Sequence, residues 1–168
     1  MRRRQLTGAL ALLALLGLLA AACGGGDEAL SKDEYQQQLS DAGQSLTQST
    51  ANLGEDVSAA VQGQAAAGDK AAEDIESFQA KLRDTADELE DLNPPEDAAA
   101  AHDRLVTALR DYADDLDELH DALGEGDASQ IVAKMQALAS LDSVKAVEQA
   151  GTDLKEQGYE FEDGSGDG

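Results

Sequence analysis

The chain has one cysteine, no tryptophan, three tyrosines, two phenylalanines, two prolines and two histidines in 168 residues. Each shortage removes a class of answer. A lone cysteine cannot form an intramolecular disulfide, so no oxidative staple holds the fold. Aromatics at 3% leave little with which to build a deep aromatic pocket. Only 12 Lys and Arg stand against 35 Asp and Glu. Phosphate binding needs a basic patch, so nucleic acid is not an expected partner. Anionic lipid headgroups are repelled by the same charge. Few β-branched runs argue for a sheet. No H-E-x-x-H, G-x-S-x-G, P-loop or G-x-G-x-x-G pattern occurs. With no such motif, neither an enzyme nor a cofactor is expected.

What is present begins with an address. Met1-Arg2-Arg3-Arg4 is a basic start, Leu6 to Leu19 is almost wholly Leu, Ala and Gly, and Ala20-Ala21-Ala22 precedes Cys23. A basic n-region, an apolar h-region and a small-residue cleavage site are the three parts of a secretory signal. The arginines stay on the cytoplasmic side while the apolar run enters the bilayer. A stop-transfer helix needs about 20 apolar residues and a charged far flank. Here Gly24-Gly25-Gly26 follows, a flexible tether.

The segment Leu19-Ala20-Ala21-Ala22-Cys23 resembles the bacterial lipobox, with Ala20 where that motif usually has Leu. The resemblance implies cleavage before Cys23 and acylation of its thiol, with palmitate among the chains. Residues 1–22 are then the signal peptide and 23–29 the lipidated Cys and its tether. The product is expected on the extracytoplasmic face of the cell membrane, anchored by lipid. Two or three chains hold stably where one chain holds only marginally. Cleavage removes three arginines and no acid, which deepens the formal charge of −23.

The rest of the chain is rich in Ala, Leu, Glu, Asp and Gln, a helix-forming composition. Ser31 and Glu34 have capping-box spacing, with Leu30 and Tyr35 placed as a hydrophobic staple. Tyr35, Leu39, Ala42, Leu46, Leu53, Val57 and Ala60 then recur at helical steps, predicting one long helix from Ser31 to Gln62. A second helix begins near Asp69, with a heptad-like stripe through Ile75, Phe78, Leu82, Thr85, Leu89 and Leu92. Asn93-Pro94-Pro95 ends it and starts a third at Pro95. The third stripe is Ala98, His102, Leu105, Leu109, Tyr112, Leu116, Leu119 and Leu123, closed by Gly124 and Gly126. Asp127 and Gln130 open a fourth, through Ile131, Met135, Leu138 and Leu141. Its phase is disturbed at Ser140 to Ser143, where a kink or restart is expected before Val144, Val147 and Leu154.

These elements predict an all-α, antiparallel up-down bundle of four helices spanning residues 30–158. A three-helix bundle with the first helix partly separate is the alternative. A disordered N-terminal tether and a disordered acidic tail over residues 159–168 complete the expected domain plan.

Few residues offer chemistry. His102 and His120 lie five ideal helical turns apart, sharing a face about 27 Å apart, too far to ligate one metal. Asp117 and His120 have the i, i+3 spacing of half a di-iron carboxylate pair. Asp163, Ser165 and Asp167 followed by Gly168 resemble the first half of an EF-hand loop, without its later ligands. His102, Asp117, His120, Asp163 and Asp167 are therefore the metal candidates, and Cys23 is the lipidation site. The acids at Asp111, Asp114, Asp115, Asp117 and Glu118 form a dense negative face that solvation alone accounts for.

Leu89-Glu90-Asp91-Leu92-Asn93-Pro94-Pro95 with His102-Asp103-Arg104-Leu105 also resembles helical hairpins in uncharacterised lipoproteins of high-GC Gram-positive bacteria. It covers residues 70–125 and implies no particular activity. Three functions follow as expectations. The first is a non-enzymatic interaction or scaffold module of the cell envelope, with an envelope protein as partner. The second is a lipoprotein that binds divalent cations or a basic ligand. The third is a carboxylate-metal enzyme.

Overall fold

The structure is a computed structural model that describes residues 29–50, 53–63, 65–138 and 140–160. Helices α1 (Lys32–Ser49), α2 (Leu53–Val61), α3 (Ala65–Glu90), α4 (Ala99–Asp115), α5 (Asp117–Glu125), α6 (Ala128–Leu138) and α7 (Asp142–Glu156) follow in order. There is no strand among the described residues. The helices form the four arms of an antiparallel up-down bundle: α1 with α2, then α3, then α4 with α5, then α6 with α7. Cys23, Asp163 and Asp167 lie outside the described residues, as do residues 23–28 of the expected tether and 161–168 of the expected tail.

The antiparallel order is visible in which residues meet. Arg110 of α4 reaches Asp87 and Glu90 at the end of α3, Arg83 meets Asp114, and Gln79 reaches Asp117. Likewise Arg104 pairs with Asp153, and Ser143 donates to Asp115, so α7 runs back along α4. At one end of the bundle α1 lies on α3 and α7 on α4. At the other end α2, α3, α5 and α6 close a ring, each touching its neighbours. Buried alanines line these seams, among them Ala71, Ala86, Ala98, Ala113 and Ala150. A side chain that small lets helix backbones approach closely.

Local chemistry explains most boundaries. Ser31 caps α1: its Oγ accepts from the Glu34 N–H, and the Glu34 carboxylate accepts from the Ser31 N–H at 3.0 Å. The Ser31 hydroxyl, which donates to the Glu34 carboxylate at 2.6 Å, together with the Ser31 N–H, holds that carboxyl below its usual range. The first arm breaks after Ser49, where one continuous helix was expected. Thr47, Ser49 and Thr50 each donate a hydroxyl to a carbonyl of the preceding turn. Hydroxyls that compete for backbone groups favour helix ends over interiors. The second helix starts at Ala65 rather than near Asp69, since Ala65, Ala66 and Ala67 are strong helix formers. After Pro95 the chain makes a tight turn, with the Ala98 N–H on the Pro95 carbonyl, and regular helix begins only at Ala99. The restart expected at Ser140 to Ser143 is present, as the gap between α6 and α7.

Two side chains depart from expectation. Met135 was placed in the core stripe but is 44% exposed, because α6 packs mainly on α5 and α2. Tyr159 was assigned to the tail but is 1% exposed. Gly158 takes φ 82°, its N–H bonds the Lys155 carbonyl, and the Tyr159 N–H bonds the Leu154 carbonyl. This is a Schellman ending, which returns the residue after the glycine to the helix's apolar face. The folded body therefore extends to residue 160, beyond the expected limit at 158.

Candidate functional site

The end of the bundle next to Pro94 and Pro95 holds the one buried histidine. His102 is 3% exposed, and its Nδ1 shares a 3.0 Å hydrogen bond with Tyr35 Oη of α1. The Tyr35 ring packs tilted on His102 and edge-on against Tyr159. Tyr159 donates its hydroxyl to Asp97 at 2.9 Å, and Lys32 Nζ sits 4.5 Å above the Tyr159 ring. Burial pushes the Tyr35 hydroxyl well above the ordinary phenol range, and burial with the Asp97 bond pushes Tyr159 up to about 12. Burial lowers the His102 pKa, against a weaker opposing pull from Asp103. His102 is thus a neutral imidazole at pH 7, with one nitrogen committed to Tyr35.

Beside this cluster lies a cavity of about 300 Å³ whose lining includes Glu90, Pro94, His102, Asp103, Thr107 and Arg110. Two of its charged side chains, Arg110 and Glu90, are already paired with each other. Arg110 makes a two-pronged bond to Glu90, at 2.7 and 3.2 Å, and a 2.6 Å bond to Asp87. That pairing holds the Glu90 carboxyl below its usual range and raises Arg110. The Thr107 hydroxyl donates to the Asp103 carbonyl, so no base activates it. Such a pocket can hold a polar group by hydrogen bonds. It does not present a paired nucleophile and base.

The remaining candidates do not converge. Leu116 interrupts the third arm, and the two histidines differ in environment: His120 is 39% exposed beside Asp121 at 3.4 Å, while His102 is interior. They do not share one solvent-facing or one core-facing stripe. Asp117 accepts from Gln79 Nε2 at 2.6 Å. No group of three or more His, Cys, Asp or Glu side chains converges on a metal position among the described residues. No helix among them is long and apolar enough to cross a membrane.

The sequence reading placed Tyr35 in the core but did not pair it with His102, and it missed Tyr159. A Gly followed by an aromatic after Leu154 is the local signal for the second. Nothing local marks the first, since 67 residues separate its partners. No family model matches this chain, and neither a curated protein nor a solved structure gives a significant match.

Proposed function

We propose that this chain is a membrane-anchored, extracytoplasmic lipoprotein whose bundle is a non-enzymatic interaction module of the cell envelope, with a basic segment of an envelope protein as its partner. The observation that carries the reading is where the positive charge goes. Lys70, Arg83, Arg104, Arg110 and Lys134 each bridge to an acid on a different helix. Most of the basic side chains of the bundle are therefore already paired between arms, and the large acidic excess has too few internal counter-ions. Its field extends outward, attracts cationic surfaces and speeds their encounter. The same field holds the bundle off an anionic bilayer, at the end of the tether that follows Cys23.

Photo-cross-linking in intact cells tests this. A photo-reactive residue at Asp111, on the acidic face of α4, should trap one envelope protein reproducibly. Cys23→Ser, which leaves the anchor unformed, should lose that adduct. Absence of any reproducible adduct from Asp111 contradicts the reading.

A further inference from the structure

His102 makes one hydrogen bond, and that bond fixes which nitrogen carries the ring proton. Tyr35 is 0% exposed, and among the described residues its hydroxyl has no hydrogen-bond partner other than His102 Nδ1. Were Nδ1 the donor, the phenol hydrogen would be buried without an acceptor, a costly arrangement. The phenol therefore donates to Nδ1, and the neutral imidazole carries its hydrogen on Nε2. That second nitrogen bonds no described residue. It is not among the sealed polar atoms without a partner, which are Thr85 Oγ1 and Gln157 Oε1, so it reaches solvent. The ring is 3% exposed, and the surface it lines is the 300 Å³ cavity. An N–H donor is thus presented to that cavity with no protein group to receive it.

The next residue supplies the opposite character. Asp103 lines the same cavity, and its carboxylate joins no hydrogen bond or ion pair among the described residues. Here the carboxylates of Asp87, Glu90 and Asp103 stand against the guanidinium of Arg110. Arg110 is bonded to the first two, which leaves Asp103 without a counter-ion. Leu92, Pro94 and Val106 add apolar lining to the same space.

Donor and carboxylate together select the occupant. An anion could receive the Nε2 hydrogen, but the formal charge of −23 repels it. A bare cation meets Asp103 but opposes the Nε2–H dipole. An uncharged ligand draws nothing from the acidic excess. A lysine within a peptide satisfies both groups. Its backbone carbonyl accepts from Nε2, its ammonium meets Asp103, and its methylene stem covers the apolar lining. About 300 Å³ holds roughly ten water-sized groups, the size of one such residue. We infer that the cavity beside His102 binds one lysine residue of a partner's basic segment, through the Asp103 carboxylate and the His102 Nε2–H. This inference rests on the proposed interaction with a basic segment and names where that segment docks.

The test is NMR of the isotope-labelled protein extracted from membranes in an uncharged detergent, titrated with acetyl-Ala-Lys-Ala-Lys-Ala-amide. Before peptide is added, His102 should show the Nε2–H tautomer; the Nδ1–H tautomer overturns the proposal. Saturable shifts are then expected at His102 Nε2 and at the Val106 methyls, and their absence overturns it. Asp103→Asn should weaken binding at least about fivefold. Glu55→Gln, an equal loss of charge on α2 at the other end of the bundle, should weaken it less than about twofold. Equal weakening by the two variants would mean that the field alone holds the peptide, and overturns the cavity as its site. Equally tight binding of acetyl-Ala-Gln-Ala-Gln-Ala-amide overturns the lysine. If the peptide fails these tests while the Asp111 adduct forms in cells, the interaction module stands and this docking point falls.

Discussion

Tyr35 Oη lies 3.0 Å from His102 Nδ1 in the interior, a single bond that ties the first arm of the bundle to the third. Tyr35→Phe leaves the histidine nitrogen buried without a partner. An expected loss of about 1–3 kcal/mol follows, read from the urea midpoint at pH 7.5. Adding His102→Leu removes the orphan, so the double variant should lose less than the two single losses together. Additivity within about 0.3 kcal/mol would mean that the pair is not coupled.

The same histidine sets a pH dependence. Its folded pKa is lowered by burial, against a weaker upward pull from the carboxylate of Asp103. The unfolded chain has the ordinary value near 6.5. Below about pH 6.5 the unfolded state binds a proton that the folded state resists, so stability is complete above that pH. It is lost as pH falls from there through the lowered folded pKa. The difference in unfolding free energy between the parent and His102→Gln should therefore shrink on going from pH 7.5 to pH 5.5. A constant difference would show that His102 titrates alike in both states.

Tyr159 carries the correction to the expected tail. It is buried against Tyr35 and bonded to Asp97, so Tyr159→Ala should cost about 3–5 kcal/mol in chemical denaturation. Tyr159→Phe keeps the packing and should cost about 1 kcal/mol. If Tyr159→Ala behaved like a surface substitution, the chain end would not be part of the core.

Thr85→Val removes the unpartnered hydroxyl at nearly constant shape, and should raise stability by about 1 kcal/mol in calorimetry. A fall of similar size would show that the hydroxyl has a partner in solution, such as an ordered water.

Most of the fold was legible because its signals are local. The Ser31–Glu34 box, the Asn93-Pro94-Pro95 turn and the phase change before Ser143 each lie within a few residues. The third stripe is buried almost throughout, with Leu105 and Tyr112 partly covered. The break after Ser49 was less legible, because the apolar stripe continues across it through Leu53 and Val57. Met135 was misplaced for a different reason: its spacing is helical, but α6 has neighbours on too little of its surface to cover it. The candidate site was the least legible part. His102 was singled out for its residue type. Its bond to Tyr35 depends on arms that meet only after folding.

What is proposed for the surroundings of the bundle rests on Cys23. The most direct measurement is intact mass of the protein extracted from cell membranes, with metabolic labelling by palmitate. The expected result is a chain that lacks residues 1–22 and begins at an acylated Cys23, with labelling abolished by Cys23→Ser. A free thiol at Cys23, or a mature chain that begins elsewhere, would contradict the anchor and with it the envelope interaction module.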